Sequence, residues 1–527
     1  MITSTYSRRR NGTGTFSNGV YDVALELMDP YVALFGQPLP PSGIATPAGA
    51  HPLHDAAHSR RLLERESEIA AAFAGIEPVL MDAAALQHQD GAAERIRKFM
   101  RDRLGFELPS PCLQSTWVRP LNMRCLYAYS MFQTFCQLAN RYFDRSYANV
   151  SDGEPADDVI RKWGFHAIDI SPCADGRLSG MVDYILRLPP AVVVHRKSFA
   201  GAMFDVEESV RNWEQCELRR YREGAPNAAS SQTRYLKIGV YHFSGSRPRH
   251  EGCAAHDCNE QKAAQALLDR LNDFAGAIEN SHCCGAAVAT LLVGVNTDND
   301  AIKVHVPNAR GEIALERYVD NRDLFERTTR ISRDEAKEAI RVAVAEAAGV
   351  PLDDGITEGM RWLCGYLLKN NMAQIDYVRA YHDGCYGDLG HTERFITVGD
   401  SLDNVQMRNL AYQAQMDTLE EGAVDMDVGI NIFRKVNVAR DLPIPVFIHN
   451  GYDRRVPGAR ARAVARCLRL KCAIESRYSE LVREGWLYTY GTVKDSAAGG
   501  KLEDVDAQDG PDGQRLACGC KKLEPRQ

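Results

Sequence analysis

The most restrictive feature of this chain is the alternation of short β-rich segments with amphipathic helices between residues 152 and 306. In one predicted helix, Leu267, Leu271, Phe274 and Ile278 recur at spacings of four, three and four and so share a face. Strands that alternate with helices favour an α/β domain with a largely parallel sheet. Apolar alternation predicts the strands at residues 167–170, 191–194, 235–241, 291–295 and 302–306.

Four further segments surround this domain, which we place at residues 151–393. Residues 1–52 are rich in Gly, Pro, Ser and Thr and are predicted to form a disordered arm. Helical periodicity predicts a small helical domain over residues 53–150. Residues 394–495 form a second α/β unit, and the Gly-, Asp- and Lys-rich residues 496–527 are predicted to be a disordered tail.

The second α/β unit echoes the first. Residues 395–399 resemble a strand that enters a glycine turn, residues 405–435 are predicted to be helical, and residues 445–449 form a strand that ends in His449, as the strand at 235–241 runs into His242. This is a weak internal repeat, in which Gly399 stands where the first copy has Cys173. We therefore expect a degenerate copy that has lost the chemistry of the first.

Composition and charge exclude several classes of protein. The 527 residues include 63 Lys and Arg against 70 Asp and Glu, so the net charge of −7 repels a polyphosphate, and no nucleic-acid partner is predicted. No secretory signal follows the arginines at residues 8–10, and we expect no membrane partner because no run of about 18 apolar residues occurs. The 15 cysteines are an odd number without a regular frame, which favours a reducing compartment and thiols that mostly pack in the core.

Cysteine and histidine side chains at predicted strand ends suggest a metal site. Cys173 follows the strand that ends at Ile170, and ligand sites in parallel sheets gather at the carboxyl ends of strands. His242 follows the strand at 235–241, and Cys253 comes eleven residues later. A Cys2His set leaves a tetrahedral zinc ion one open position, as catalytic sites require. Asp175 and Arg177 share the loop of Cys173 and are close enough to form a charge-assisted pair.

At these residues the chain resembles a known family. The segment Cys173-Ala-Asp175-Gly-Arg177 is similar to the Cys-x-Asp-x-Arg signature of β-class carbonic anhydrases. From about residue 55 to 495 the chain resembles the carboxysomal shell carbonic anhydrases, a divergent β-class family. The resemblance is carried by specific strings, namely Ile170-Ser-Pro-Cys-Ala-Asp-Gly-Arg177, Glu217-Leu-Arg-Arg-Tyr-Arg-Glu-Gly224, Gly252-Cys-Ala-Ala-His256 and Asn280-Ser-His-Cys-Cys-Gly-Ala286.

The resemblance implies an activity and a set of site residues. It places zinc on Cys173, His242 and Cys253 and the catalytic dyad on Asp175 and Arg177. The implied reaction interconverts bicarbonate and CO2 by attack of zinc hydroxide on CO2, and it would supply CO2 to Rubisco. The implied fold is an α/β catalytic core of β-carbonic-anhydrase type, with an N-terminal helical domain and a C-terminal degenerate copy without zinc.

The resemblance also implies a location and partners. The location is the carboxysome, a bacterial microcompartment in the cytoplasm. The arm at residues 1–52 would bind Rubisco or shell proteins, and the chain would form a homo-oligomer built from dimers. The proton shuttle is not identified; His391 is a candidate by position, and a structural role is the alternative.

Two points stay open. Ordinary β-class enzymes carry His-x-x-Cys, which occurs here as His250-Glu-Gly-Cys253, so His250 competes with His242 as the ligand. We favour His242 because a strand end positions it, whereas His250 would lie on a loop.

The second point is the overall function, because a scaffold that tethers Rubisco or shell proteins around a mainly structural zinc is the alternative to an enzyme. A sugar phosphate bound near the cationic segment 217–222 would be a regulatory ligand. The Asp175–Arg177 pair favours the enzyme, since a structural zinc needs a fourth protein ligand and no dyad.

Overall fold

The computed structural model describes residues 49–113, 121–142, 150–151, 154–189, 192–225, 233–282, 288–349, 358–400, 402, 407–416, 424–495 and 500–505. The predicted arm before residue 49 and the predicted tail beyond residue 505 lie outside the described residues.

Helices build the first part of the described chain: α1 (Ala56–Ala74), α2 (Ile76–Leu86), α3 (Ala92–Leu104) and α4 (Met123–Tyr142). The carboxylate of Asp55 caps α1 by accepting the N–H groups of the first helical residues. Gly105 ends α3 with φ at 77°, a left-handed conformation that glycine adopts readily. Leu62, Ile69 and Phe73 form one buried face, which confirms the helical periodicity of this segment.

By length and composition, the stretch Ala56–Leu86 could cross a membrane, since one window of it has a mean hydropathy of 1.6. Such a stretch also occurs as a core helix of a soluble protein. Here Ile69, Phe73, Ile76 and Leu80 pack in a hydrophobic core together with Phe395 and Phe447 of the second α/β unit.

A six-stranded sheet forms the centre of the first α/β domain. Its strands are β3 (Phe165–Pro172), β4 (Val193–Arg196), β5 (Arg234–Phe243), β6 (Val288–Asn296), β7 (Ile302–His305) and β8 (Tyr318–Asp320), preceded by the antiparallel pair β1 (Val150–Ser151) and β2 (Glu154–Pro155). The strand order is β4-β3-β5-β6-β7-β8, in which the first four strands are parallel, β7 is antiparallel to β6 and β8 is antiparallel to β7. The five predicted strands are confirmed, although β4 begins two residues later than predicted and β8 was not predicted.

Helices cover both faces of this sheet, so its central strands are buried on each side. On one face, a Cβ atom at Gly239 of β5 would lie within 3.0 Å of Leu267. Every residue of β5 from Tyr235 to Phe243 is buried, so side chains on both faces of this strand are covered, and Asn371 accepts the N–H of Ile302 at the start of β7. The helices are α5 (Ala156–Lys162), α6 (Met181–Tyr184), α7 (Val206–Arg222), α8 (Glu260–His282), α9 (Asn321–Thr328), α10 (Arg333–Ala348) and α11 (Glu358–Tyr381).

The second sheet has the order β10-β9-β11-β12-β13, with β10, β9, β11 and β12 parallel and β13 antiparallel. One sequence prediction here is wrong. Residues 411–414, predicted to be helical, form a strand, because Ala411 and Tyr412 are buried beside β9. The elements are β9 (Phe395–Gly399), β10 (Ala411–Ala414), α12 (Val424–Val436), β11 (Ile444–Tyr452), α13 (Ala459–Arg477), α14 (Ser479–Arg483), β12 (Leu487–Asp495) and β13 (Glu503–Asp504). The chain is thus still part of this sheet at β13, inside the segment predicted as a tail.

Candidate metal centre

Three side chains with metal-binding atoms converge at the carboxyl ends of neighbouring strands. Cys173 directly follows β3, His242 is the penultimate residue of β5, and Cys253 lies in the loop after β5. Their ligand atoms lie within 4.8 Å of one another, and the two sulfur atoms are 3.9 Å apart. All three side chains are buried. The structure therefore brings together the three residues that the sequence suggested as ligands.

Backbone contacts hold the cluster in place. The N–H of Cys173 donates to the carbonyl of Val240, which extends the parallel pairing of β3 and β5 by one residue. The Cys253 loop turns tightly, and a Cβ atom at Gly252 would lie 2.8 Å from the carbonyl oxygen of Cys258. The carbonyl of Cys253 accepts the N–H of Cys258 across this turn. The three side chains are thus held by strands and a closed turn.

The donor set fits a zinc-like metal ion. Among the described residues, neither ring nitrogen of His242 makes a hydrogen bond of acceptable geometry, although Nε2 lies 3.1 Å from Oδ2 of Asp175. An unpaired, fully buried imidazole costs free energy that a metal bond would offset. Two sulfurs and one imidazole nitrogen are common zinc ligands, and three protein ligands leave a position for substrate.

The electrostatics of the cluster also suit a metal. The hydrogen bond between the Cys173 and Cys253 sulfur atoms raises the pKa of Cys173 and lowers the pKa of Cys253. Burial disfavours a charged His242, but Asp175 and Cys173 outweigh burial and raise the pKa of His242 to about 9. A metal ion would replace the protons on these three ligands, so binding releases protons.

Asp175 and Arg177 form a two-pronged buried ion pair beside this cluster. Arg177 donates from Nε to Oδ1 of Asp175 at 2.8 Å and from Nη2 to Oδ2 at 2.7 Å. The Arg177 backbone N–H also donates to Oδ1, at 2.9 Å. Burial alone would raise the pKa of Asp175, but Arg177, His242 and His391 outweigh burial and hold this pKa well below its usual range. Asp175 is therefore an ionised group that can only accept hydrogen bonds.

Backbone oxygen atoms from two other segments fix Arg177. Its Nη1 donates to the carbonyls of Glu251 and Leu389, each at 2.8 Å, and approaches Oγ1 of Thr297 at 3.4 Å. Every residue has a backbone carbonyl, so these partners could not have been predicted from residue types.

His391 and Glu393 complete the surroundings of the dyad. Nε2 of His391 lies 3.8 Å from Oδ2 of Asp175, and Nδ1 of His391 lies 2.9 Å from Oε1 of Glu393. Burial lowers the pKa of His391, but Glu393 and Asp175 outweigh burial and raise it to about 9. The sequence suggested His391 by position and missed Glu393, because a single glutamate before a strand carries no recognisable pattern.

Among the described residues, the nearby histidines His250 and His256 do not join this group of ligands. His250 is exposed, and its N–H closes a turn onto the carbonyl of Arg247. His256 contacts the carbonyl of Gly201 through Nε2 at 3.1 Å. The cysteines at 283 and 284 lie outside the described residues. Of the two histidines left open by the sequence, the structure places His242 beside the cysteines.

A second group of polar side chains lies at the end of α7, where the sequence suggested an anion site. His166 Nε2 contacts Glu217 Oε1 at 2.6 Å, and Arg220 donates to both Glu217 and Thr233, each at 3.1 Å. Glu217 and Arg220 therefore already pair with each other and with residues at the start of β3 and β5. These two residues link α7 to the sheet, whereas Arg219 and Arg222 of the same segment are exposed.

An α/β protein with a candidate metal centre is the class that this sheet and site define, with three converging side chains that could bind a metal beside a buried Asp–Arg pair. Three family models match the chain: the carboxysome shell carbonic anhydrase N-terminal domain at residues 51–143, its catalytic domain at residues 155–391 and its C-terminal domain at residues 392–509. The chain belongs to the carboxysome shell carbonic anhydrase family.

Curated relatives agree with this assignment. The chain is 45% identical over 449 residues to the carboxysome shell carbonic anhydrase of Parasynechococcus marenigrum, covering 84% of this chain and 77% of the relative. It is 43% identical over 461 residues to that of Halothiobacillus neapolitanus, covering 86% of this chain and 90% of the relative. The predicted family and enzyme class are confirmed, and the scaffold alternative gains no support.

Proposed function

We propose that this carbonic anhydrase holds zinc on Cys173, His242 and Cys253 and uses Asp175 and Arg177 to orient water for attack on CO2. The observation that carries the proposal is the contact between the two groups, since Oδ2 of Asp175 lies 3.1 Å from Nε2 of His242. Arg177 holds this carboxylate at both oxygens beside only three converging ligands, an arrangement that suits a site where a substrate water takes the fourth position.

Zinc, when bound, lowers the pKa of its water from about 15.7 towards about 7 and so supplies hydroxide at neutral pH. Cys173, His242 and Cys253 would hold the ion in a buried site with three protein ligands. A structural zinc would need a fourth protein ligand. Among the described residues, this group of ligands contains three.

Asp175 has the geometry of a hydrogen-bond acceptor for that water. Oδ1 is occupied by Nε and the backbone N–H of Arg177, whereas Oδ2 faces the ligand cluster. An ionised carboxylate at Oδ2 accepts the water's O–H and so turns an oxygen lone pair towards CO2. Arg177 holds the carboxylate at both oxygens and keeps it from turning into the open metal position itself.

Metal removal tests this assignment. We expect a chelator to abolish CO2 hydration and added zinc to restore it in the wild type. A Cys253→Ser variant should recover little activity at the same zinc concentration, because serine is a poor zinc ligand. Full hydration activity in the chelated wild-type protein would refute the proposal.

We further propose that the two sheets descend from one β-carbonic-anhydrase-type unit. The orders β4-β3-β5-β6 and β10-β9-β11-β12 correspond strand for strand, and all neighbouring strands in them are parallel. In each unit, helices connect the second strand to the third along the chain and the third strand to the fourth. In the second unit Gly399 pairs with His449 at the strand ends, and His449 contacts Thr492 at 3.0 Å. A single remaining histidine cannot hold zinc, so this unit would be a degenerate copy.

The expected partners follow from the family. The relatives are named for the carboxysome shell, and we assign this chain to the carboxysome, with CO2 and bicarbonate as its substrates. The arm at residues 1–52 would link the enzyme to Rubisco or shell proteins, and the chain would assemble as a homo-oligomer built from dimers.

A further inference from the structure

We propose that Glu393 is a positioning residue for the reaction. A single one of its carboxylate oxygens, Oε1, contacts both the backbone N–H of Gly176, in the loop that carries Asp175 and Arg177 (the dyad loop), and the ring of His391. Glu393 lies in the segment that leads into the second sheet, outside the sequence signature and outside the proposed ligand set. The inference rests on the proposed function, since it assigns Glu393 to the same site.

The contact with Gly176 is close and depends on the absence of a side chain. The N–H of Gly176 donates to Oε1 of Glu393 at 3.1 Å, and a Cβ atom at Gly176 would lie 2.2 Å from Cγ of Glu393. The carbonyl of Gly176 accepts the N–H of Asn409 at 2.7 Å. Both peptide groups of Gly176 are therefore held by residues near the second sheet. Gly176 lies between Asp175 and Arg177, so its contact with Glu393 fixes the position of the dyad.

The contact with His391 sets the direction of its ring. Nδ1 of His391 lies 2.9 Å from Oε1 of Glu393, a hydrogen-bond distance that orients the imidazole ring. Nε2 is then directed at Oδ2 of Asp175, 3.8 Å away, which is beyond hydrogen-bond distance and within reach of one bridging water. Without Glu393 the ring could rotate away from the dyad.

The burial of Glu393 argues against a role in packing alone. Its side chain is 1% exposed, and among the described residues Oε2 has no hydrogen-bond partner. A buried carboxylate with one unpaired oxygen costs stability, which a neutral side chain of the same shape would avoid. The negative charge also favours the cationic forms of His391 and Arg177, because Glu393 raises the pKa of both groups.

The test compares Glu393→Ala, Glu393→Gln and a matched Glu66→Gln control, all loaded with zinc. Glu66 is a glutamate that accepts the phenol O–H of Tyr377, away from the metal centre. For Glu393→Ala we expect kcat to fall by roughly 10- to 100-fold with KM within about twofold of wild type. Glu393→Gln keeps an oxygen acceptor for both N–H groups and should recover part of the loss. The control should keep wild-type kcat.

A second measurement does not depend on catalysis. Hydrogen–deuterium exchange of the peptide spanning residues 173–180 in the metal-free protein should be faster in Glu393→Ala, since the Gly176 amide loses its acceptor, and unchanged in Glu66→Gln. Wild-type kcat and unchanged exchange in Glu393→Ala would overturn the inference. Equal loss of zinc or of melting temperature in both Glu393 variants would also overturn it, because the role would then be structural. Failure of the proposed function would appear differently, as a wild-type protein that hydrates CO2 without zinc.

Discussion

The Nε2 atom of His242 lies 3.1 Å from Oδ2 of Asp175, so the proposed ligand cluster and the proposed catalytic dyad are in direct contact. This contact joins two elements of the fold, because His242 is the penultimate residue of β5 and Asp175 follows β3. Changes on either side of it should therefore affect the chemistry without dismantling the sheet.

Replacing Asp175 by Asn should separate metal binding from catalysis. The amide keeps the shape of the carboxylate but loses its charge, so we expect bound zinc to persist while CO2 hydration falls by roughly 100-fold or more. Removing one partner of the buried ion pair should also cost about 3 kcal/mol of stability, so rates are to be measured well below the melting temperature. Stopped-flow rates near those of wild type would exclude Asp175 from the mechanism.

Replacing Arg177 by Lys should reduce activity as severely as Asp175→Asn. A lysine cannot reproduce the two bonds to Asp175 and the two to backbone carbonyls that the guanidinium makes. Because the pair acts as a unit, the double variant Asp175→Asn/Arg177→Lys should lose little more than either single one. Multiplicative losses in hydration rate would show that the two residues act independently.

The kind of contact determines which parts of this arrangement could be predicted from the sequence. Alternating apolar residues predicted β3 and β5, and the positions of Cys173 and His242 after those strands predicted their convergence. Leu389 and Glu393 could not be predicted, since their contacts depend on how the second unit packs against the dyad loop. Residues 411–414 were predicted to be helical for the same reason. They form a strand because pairing with β9 overrides their local preference for helix.

Stability should fall as the pH drops from about 6.5 towards 4, because two buried histidines join the N-terminal helices to the catalytic region. His58 contacts Gln374 at 2.8 Å and His51 contacts Thr328 at 2.9 Å. Burial lowers the pKa of His58 to about 3 and that of His51 to about 4, so both are neutral in the folded chain. Below the unfolded pKa of 6.5, the unfolded chain gains protons that the folded chain does not, and unfolding becomes easier by about 1.4 kcal/mol per pH unit for each histidine.

Chemical denaturation at pH 7 and pH 5 measures this effect. A His58→Gln variant cannot titrate at this position, and its free energy of unfolding should depend less steeply on pH than that of wild type. Identical pH dependence in the two proteins would show that His58 does not contribute to the acid sensitivity.

Removing residues 1–48 should separate tethering from catalysis. None of the proposed ligands or dyad residues lies within residues 1–48, so we expect CO2 hydration and zinc content to match the full chain. Co-sedimentation with purified Rubisco or shell protein should be lost, since the proposed tether is gone. Association equal to that of the full chain with both partners would refute a tethering role for the arm.

The most direct test of the central claim is the zinc content of purified wild-type, His242→Ala and His250→Ala proteins, measured by elemental analysis alongside CO2 hydration. The account predicts one zinc ion per chain and full activity in wild type and in His250→Ala, with both zinc and activity lost in His242→Ala. Zinc retained in His242→Ala and lost in His250→Ala would contradict it.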